Sequence, residues 1–234
     1  MNTMFCIPYA GGAASAYGEL KAAAKKKNLD LVLLELAGHS SRISAPLYQN
    51  FSEAADDCCR MIADYLNTHY IESYSIFGHS MGSWIAYELI GRLQKNPMLT
   101  LPNKLFLSSN RVPQIREKVD TTVFSDDQFW NWIYHQGGLE KELYEMPEFK
   151  DYYLPVVRND YRILGEYAGP EVPERMLPMD LYMMCGTEDE VTPEELGQWK
   201  RFTNHNFETT FFEGDHFYFR GQAKKIVDYF CERI

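Results

Sequence analysis

The sequence predicts an α/β fold with a mostly parallel central sheet and helices on both faces. Two observations lead to this prediction. Short, almost continuously apolar runs, typical of strands buried on both faces, alternate with longer segments of helical periodicity. The alternation stops once, between about residues 110 and 177, and then resumes. We therefore expect a single domain, 1–234, with a helical insertion at about 110–177.

Each element has its own local signal. The predicted strands are the apolar runs Met4–Ile7, Asp30–Leu36, Tyr74–Phe77, Lys104–Ser109, Met179–Cys185 and Phe207–Phe212. Helical periodicity or capping residues predict helices at Ser15–Lys27, Phe51–Tyr70 with Ser52 as the N-cap, Ser83 to about Leu93, after Thr192, and Gln222–Ile234.

The insertion has a different character from the rest of the chain. A capping box from Ser125 to Gln128 opens a short helix that Gly137 ends, and prolines predict further helix starts at Pro147 and near Pro155. The segment is rich in aromatic residues, some of which must form a small core of its own. Because it interrupts the sheet connections, it resembles a lid over the carboxyl edge of the strands.

Composition excludes several classes of protein. With 45% hydrophobic residues the chain is globular, and its net charge of −10 argues against general nucleic-acid binding. The five cysteines are odd in number and lack metal-ligand spacing, which favours reduced thiols in a cytoplasmic protein. No signal peptide and no run of about 20 apolar residues is visible. We expect no metal and no membrane contact, and nothing demands more than a monomer.

The pentapeptide Gly78-His79-Ser80-Met81-Gly82 lies between a predicted strand and a predicted helix. A G-x-S-x-G turn in that position is the nucleophile elbow of an α/β-hydrolase fold. It exposes the Ser80 hydroxyl above the sheet, and the start of the helix offers backbone N–H groups to a developing oxyanion. The glycines allow the strand and the helix to approach closely.

The partners of Ser80 should follow later strands in the order acid, then histidine. Asp189 is the preferred acid, with Glu188 and Glu190 as competitors, and His216 is the preferred base. Asp215 is adjacent to His216 and more simply shapes the loop.

The glycine pair Gly11-Gly12 after the first strand has two interpretations. It lacks the lysine of a phosphate loop, so a second oxyanion donor is favoured.

The remaining histidines have less specific signals. His79 neighbours Ser80 but points elsewhere if Ser80 faces the site, which favours a structural role. His69, His135 and His205 lie near element ends and are expected at the surface, whereas His39 could line the rim of the site.

With these residues in place, the chain resembles the type II thioesterases of nonribosomal peptide and polyketide synthases. The resemblance covers the whole chain, and its motifs are Pro8–Gly12 (P-x-A-G-G), Ala37–Arg42 (P-G-R-x-x-R), the elbow, and Leu154–Asp160 (L-P-x-x-R-x-D). In the second motif Ala37 replaces proline and His39 replaces arginine. The resemblance implies a triad of Ser80, Asp189 and His216, with the N–H groups of Met81 and Ala10 as the oxyanion hole.

The resemblance also implies an editing function, the hydrolysis of stalled or misprimed acyl groups from the phosphopantetheine arm of carrier domains. Phosphopantetheine belongs to the partner, so no cofactor is expected. Two alternatives are a serine esterase or acyl-CoA thioesterase acting on small free substrates, and a non-catalytic carrier-binding module; transfer to an acceptor other than water also stays open. A docking patch for the carrier could use Arg111, Arg116 or Arg158, although an ion pair of Arg158 with Asp160 or another lid carboxylate is favoured.

Overall fold

Six parallel strands form one sheet in the order β2-β1-β3-β4-β5-β6. The computed structural model describes residues 2–96, 98–114, 121–167, 169 and 176–234. The strands are β1 (Asn2–Ile7), β2 (Leu29–Leu33), β3 (Tyr74–His79), β4 (Lys104–Ser108), β5 (Asp180–Gly186) and β6 (Phe207–Phe212). All six predicted strands are confirmed, and their carboxyl ends share one edge because every pairing is parallel.

Both faces of the central strands are buried, as predicted, whereas the edge strand β6 leaves Thr209 and Phe211 exposed. Along β1, Phe5 and Ile7 join one apolar cluster, whereas Met4 and Cys6 join the other. Successive side chains of a strand point to opposite faces, so a strand covered on both faces must be apolar throughout.

Eight α-helices lie in the described part of the chain. They are α1 (Gly18–Lys25), α2 (Phe51–Thr68), α3 (Met81–Lys95), α4 (Asp126–His135), α5 (Lys141–Tyr144), α6 (Pro147–Glu166), α7 (Pro193–Gly197) and α8 (Ala223–Cys231). Short 3-10 turns span Ala14–Tyr17, Ser40–Arg42, Thr121–Val123 and Gln198–Phe202. The first predicted helix is therefore a 3-10 turn followed by α1.

Two predicted helix boundaries are wrong. The N-cap of α2 is Asn50, whose side chain accepts from the Glu53 N–H at 3.0 Å, and Ser52 lies inside the helix. No helix starts near Pro155, because α6 continues through it. Pro155 is on the exposed side of α6, and the buried apolar side chains of that helix offset the lost backbone hydrogen bond.

The insertion places α4, α5 and α6 between β4 and β5. Its aromatic and aliphatic side chains form a separate cluster around Phe129, Trp130 and Val157, as expected for a small core of its own. The capping box at Ser125 and Gln128 is confirmed. Arg158 on α6 joins the helices, because its guanidinium lies 4.5 Å from the centroid of the Phe129 ring and pairs with Asp126 at 2.9 Å.

Candidate active site

Ser80 lies at the turn between β3 and α3 with φ 53° and ψ −119°. Non-glycine residues seldom adopt a positive φ, so the surrounding contacts must hold this conformation. The Ser80 N–H donates to the Ser108 carbonyl oxygen at 2.8 Å, and Asn110 Nδ2 donates to the Ser80 carbonyl oxygen at 2.7 Å. The predicted strand, sharp turn and helix around Ser80 are confirmed.

The two glycines of the elbow are required by close backbone contacts. A Cβ on Gly78 would collide with the backbone of Gly82, and a Cβ on Gly82 would collide with the carbonyl oxygens of Ile7 and Pro8. The start of α3 therefore packs directly against the loop that follows β1. This contact brings the loop carrying Ala10 beside Ser80.

Two backbone N–H groups beside the elbow are candidates for an oxyanion hole. Met81 is the first residue of α3, where an N–H has no acceptor within the helix. In the loop after β1, the Gly11 N–H donates to Asp160 Oδ2 at 2.7 Å and the Gly12 N–H to the Tyr9 carbonyl oxygen at 2.8 Å. Within the described ranges, no protein group accepts from the Ala10 N–H.

Asp189 and His216 meet in the loops after β5 and β6. His216 Nδ1 lies 3.1 Å from Asp189 Oδ2, and the exposed fractions of the two side chains are 33% and 2%. Burial alone would raise the pKa of Asp189, but the hydrogen bond and charge of His216 outweigh it and hold that pKa below its usual range. The competing acids Glu188 and Glu190 are exposed.

His216 also lies beside the elbow. Its ring centroid is 4.9 Å from that of His79, the residue immediately before Ser80. Among the residues that the structure describes, no hydrogen bond joins Ser80 Oγ to the His216 ring. Hydrogen bonds between a nucleophile and its base are often long without substrate and tighten in the complex.

His79 has a structural environment. It is fully buried, and its Nδ1 is 2.8 Å from the Ser108 hydroxyl, which is 2.7 Å from the Tyr218 hydroxyl. Burial, followed by the charge of His216, lowers the pKa of His79 well below its usual value. The imidazole is thus neutral. Asp215 shapes its loop by accepting from the Phe217 N–H at 2.8 Å.

The other histidines divide into two groups. His69, His135 and His205 are exposed, as predicted. His39 contributes to the lining of the cavity between the glycine loop and the insertion, but its side chain is only 2% exposed and pairs with Asp160 of α6. No cluster of potential metal ligands occurs among the described residues.

Two of the arginines considered for carrier docking already have partners. Arg111 pairs with Glu195 at 2.8 Å, and Arg158 pairs with Asp126 rather than Asp160, in keeping with the favoured structural role. Arg116 lies outside the described residues.

A cavity of about 600 Å³ opens between the glycine loop and part of the insertion. Tyr9 and Gly11 line one side of it, and Leu143, Tyr152 and Tyr153 line the other. Its volume is within the range of small-molecule sites. The candidate triad does not line this cavity in the described part of the chain, so the cavity adjoins the reacting centre rather than containing it.

A model of the thioesterase domain family matches residues 2–234. The chain belongs to this family. It is a thioester hydrolase, and the predicted resemblance to type II thioesterases is confirmed. None of the helices in the described ranges of this thioesterase is long and apolar enough to cross a membrane.

Three proteins illustrate what this thioesterase is similar to. The gramicidin S biosynthesis protein GrsT of Aneurinibacillus migulanus is 26% identical over 233 residues, which cover 99% of this chain and 88% of GrsT. ClbQ from the colibactin NRPS/PKS pathway superposes with a TM-score of 0.88 and 27% identity, covering 99% of this chain and 95% of ClbQ. The type II thioesterase BorB from the borrelidin biosynthetic cluster superposes with a TM-score of 0.85 and 25% identity, covering 99% of this chain and 91% of BorB.

The network of His39, Asp160 and Gly11 was not predicted from the sequence. A signal for part of it existed, since Asp160 is the last residue of the motif Leu154–Asp160. The support of Ser80 by Asn110 was also missed, and no local sequence pattern indicates it.

Proposed function

We propose that this thioesterase hydrolyses acyl groups from the phosphopantetheine arm of carrier domains, removing stalled or misprimed units in nonribosomal peptide or polyketide synthesis. The observation that carries the catalytic part is the pairing of the buried Asp189 carboxylate with the partly exposed His216 ring, beside the strained Ser80. The carrier-bound substrate is supported by the similarity to ClbQ and BorB, which come from such pathways.

In the proposed mechanism Ser80 Oγ attacks the thioester carbonyl carbon and His216 accepts the hydroxyl proton. Asp189 stabilises the resulting imidazolium. The tetrahedral oxyanion receives hydrogen bonds from the N–H groups of Met81 and Ala10. The C–S bond then breaks, and His216 gives its proton to the departing sulfur, so that pantetheine leaves as the thiol. His216 next accepts a proton from a water molecule, which attacks the acyl-serine carbonyl carbon. The bond to Ser80 Oγ breaks, His216 returns the proton to that oxygen, and the carboxylic acid is released.

The insertion at about 110–177 acts as the lid of a single domain in this proposal. The cavity between lid and glycine loop receives part of the acyl-pantetheine substrate, and its tyrosines and Leu143 suit a slender, partly apolar chain. Phosphopantetheine arrives with the carrier, so the enzyme needs no cofactor of its own.

The test compares an acyl-loaded carrier domain, the corresponding acyl-CoA and a p-nitrophenyl ester of the same acid. We expect the highest kcat/KM for the carrier, and in Ser80→Ala a fall of about 10⁴-fold or more on all three substrates. Ser52→Ala, which removes an exposed hydroxyl on α2, is the matched control and should leave the rates unchanged. Preference for the free ester would refute the carrier substrate, and turnover surviving in Ser80→Ala would refute the mechanism.

A further inference from the structure

One carboxylate oxygen ties the lid helix to the loop beside Ser80. Asp160 Oδ2, on α6, accepts from the Gly11 N–H at 2.7 Å and lies 3.0 Å from His39 Nε2. The Asp160 and His39 side chains are only 1% and 2% exposed. A buried carboxylate is costly unless it is paired and hydrogen-bonded. Asp160 Oδ1 has no hydrogen-bond partner among the described residues, so the contacts of Oδ2 supply that compensation.

The two ring nitrogens of His39 both face acceptors. Nδ1 is 3.1 Å from the Ala37 carbonyl oxygen, and Nε2 faces the Asp160 carboxylate. A carbonyl and a carboxylate can only accept, and a neutral imidazole has only one N–H to donate. The geometry therefore fits the imidazolium, which donates from both nitrogens and balances the charge of Asp160.

The glycine loop is in direct contact with α6. Gly11 has φ +78°, and a Cβ on it would collide with the Tyr153 hydroxyl and the Val157 side chain. The Gly12 N–H is held by the Tyr9 carbonyl oxygen. Ala10 thus lies between two fixed points, and the direction of its N–H depends on the hydrogen bond from Gly11 to Asp160.

We propose that Asp160 and His39 are positioning residues, which hold the Ala10 N–H in its oxyanion-binding direction only while His39 carries two protons. The proposal rests on the assignment of Ala10 as an oxyanion donor in the mechanism above. It adds that the seating of the lid helix on the glycine loop and the strength of the oxyanion hole depend on one buried proton.

The charged groups around His39 set the direction of its pH dependence. Burial favours the neutral ring, but the charge and hydrogen bond of Asp160, the Ala37 carbonyl and the more distant Glu35 outweigh it, and the pKa of His39 is raised. The phenols of α6 near the pair are Tyr152, Tyr153 and Tyr161, and burial keeps the last two neutral by raising the pKa of each.

Because the pKa of His39 is raised, the His39–Asp160 pair contributes fully to stability at pH values below the ordinary pKa of histidine. This contribution is lost as the pH rises through the higher pKa of the folded state. The Asp160 carboxylate then faces a ring that can no longer satisfy both acceptors, and the lid contact weakens. The turnover number kcat should consequently fall on the alkaline side.

The first experiment measures kcat and KM between pH 6 and pH 10 on an acyl thioester of N-acetylcysteamine. Because this substrate needs no carrier, a failure of the proposed carrier substrate would not disturb the test, and Ser80→Ala reports separately on the mechanism. We expect an alkaline decrease in kcat for the native enzyme. His39→Gln should lower kcat by up to about 100-fold at the acidic end of this range and approach the native kcat at the alkaline end, where the native His39 has also lost its second proton. Because a misplaced catalytic group costs rate rather than ground-state binding, the loss in kcat should exceed any change in KM.

Two further variants sharpen the result. His39→Arg supplies a permanent cation, and we expect it to remove the alkaline decrease. His135→Gln removes an exposed histidine from α4 and should reproduce the native profile. A His39→Gln enzyme with native kcat and native pH profile would overturn the proposal.

A second measurement does not depend on any variant folding. Nuclear magnetic resonance of the native enzyme with ¹⁵N-labelled histidine reports the protonation of each ring nitrogen. We expect His39 to keep protons on both nitrogens to a higher pH than an exposed histidine does. A singly protonated His39 at pH 6 would overturn the proposal whatever the kinetics show.

Discussion

At the scale of single residues, the role that we propose for Ser80 depends on the pairing of Asp189 with His216. Asp189 is almost fully buried, and its Oδ1 also accepts from the Val191 N–H at 3.1 Å. Both oxygens are therefore committed, one to its own loop and one to the imidazole. In the proposed mechanism the carboxylate thereby leaves the other ring nitrogen of His216 available to Ser80.

Replacing Asp189 with asparagine should lower kcat by about 10⁴-fold, because an amide does not enforce the productive tautomer of His216. Glu188→Gln removes the exposed neighbouring carboxylate and should leave kcat unchanged. The pKa of Asp189 is lowered in the folded state, so its contribution to stability is present above the ordinary carboxyl range and lost as the pH falls. Thermal unfolding below about pH 4 should thus depend less on pH in Asp189→Asn than in the native enzyme. Equal kcat in the two variants would contradict this role of Asp189.

The triad candidates could be chosen from the sequence, but the contact between His39 and Asp160 could not. Ser80, Asp189 and His216 each follow a strand, and the carboxyl ends of parallel strands meet at one edge. His39 and Asp160 are 121 positions apart on elements that no sheet register connects. Their contact depends on how α6 packs, which periodicity along the chain does not encode.

At the scale of elements, the site depends on how closely β1, β3 and α3 approach each other. Gly82 lies in the first turn of α3, at the point where its backbone meets the carbonyl oxygens of Ile7 and Pro8. These acceptors belong to the backbone and cannot swing aside as a side chain could. The three elements thus form one rigid junction under the candidate oxyanion hole.

Gly82→Ala should destabilise the protein by about 1–3 kcal/mol and lower kcat, because the added methyl group forces α3 away from the loop after β1. Gly18→Ala is the matched control. Gly18 has the helical angles φ −58° and ψ −42°, and nothing lies within 4 Å of the position of its Cβ. That substitution should stabilise the protein by about 0.4–1 kcal/mol. Urea unfolding of both variants measures the change in the free energy of unfolding. A Gly82→Ala protein of native stability would contradict the rigidity of the junction between β1, β3 and α3.

Helix boundaries could be predicted only where the local sequence singled out one residue as the cap. The capping boxes at Ser125 and Thr192 were read correctly because each has a matching partner three residues later. For α2 the predicted cap, Ser52, is wrong, because the side chain of Asn50 takes that role two residues earlier. At Pro155 the local rule failed because tertiary packing of α6 outweighed the helix-breaking tendency of proline.

At the scale of the whole molecule, net charge bears on how the proposed carrier substrate would approach. The chain carries a net charge of −10, and Arg111 and Arg158 are engaged in internal ion pairs. An acidic carrier would be repelled at long range rather than steered towards the site. Association with such a carrier would therefore depend on short-range contacts, which added salt weakens little.

The dependence of KM on salt tests this reasoning. Between about 50 mM and about 500 mM salt, the KM for an acyl-loaded acidic carrier should stay constant or fall, because screening removes repulsion between the two proteins. An acyl thioester of N-acetylcysteamine carries no carrier charge and is the control, so its KM should not change. A KM for the carrier that rises steeply with salt would contradict the expectation and indicate a local basic docking patch. Charge reversal at Arg111 and Arg158 would then show whether these two arginines contribute to the patch.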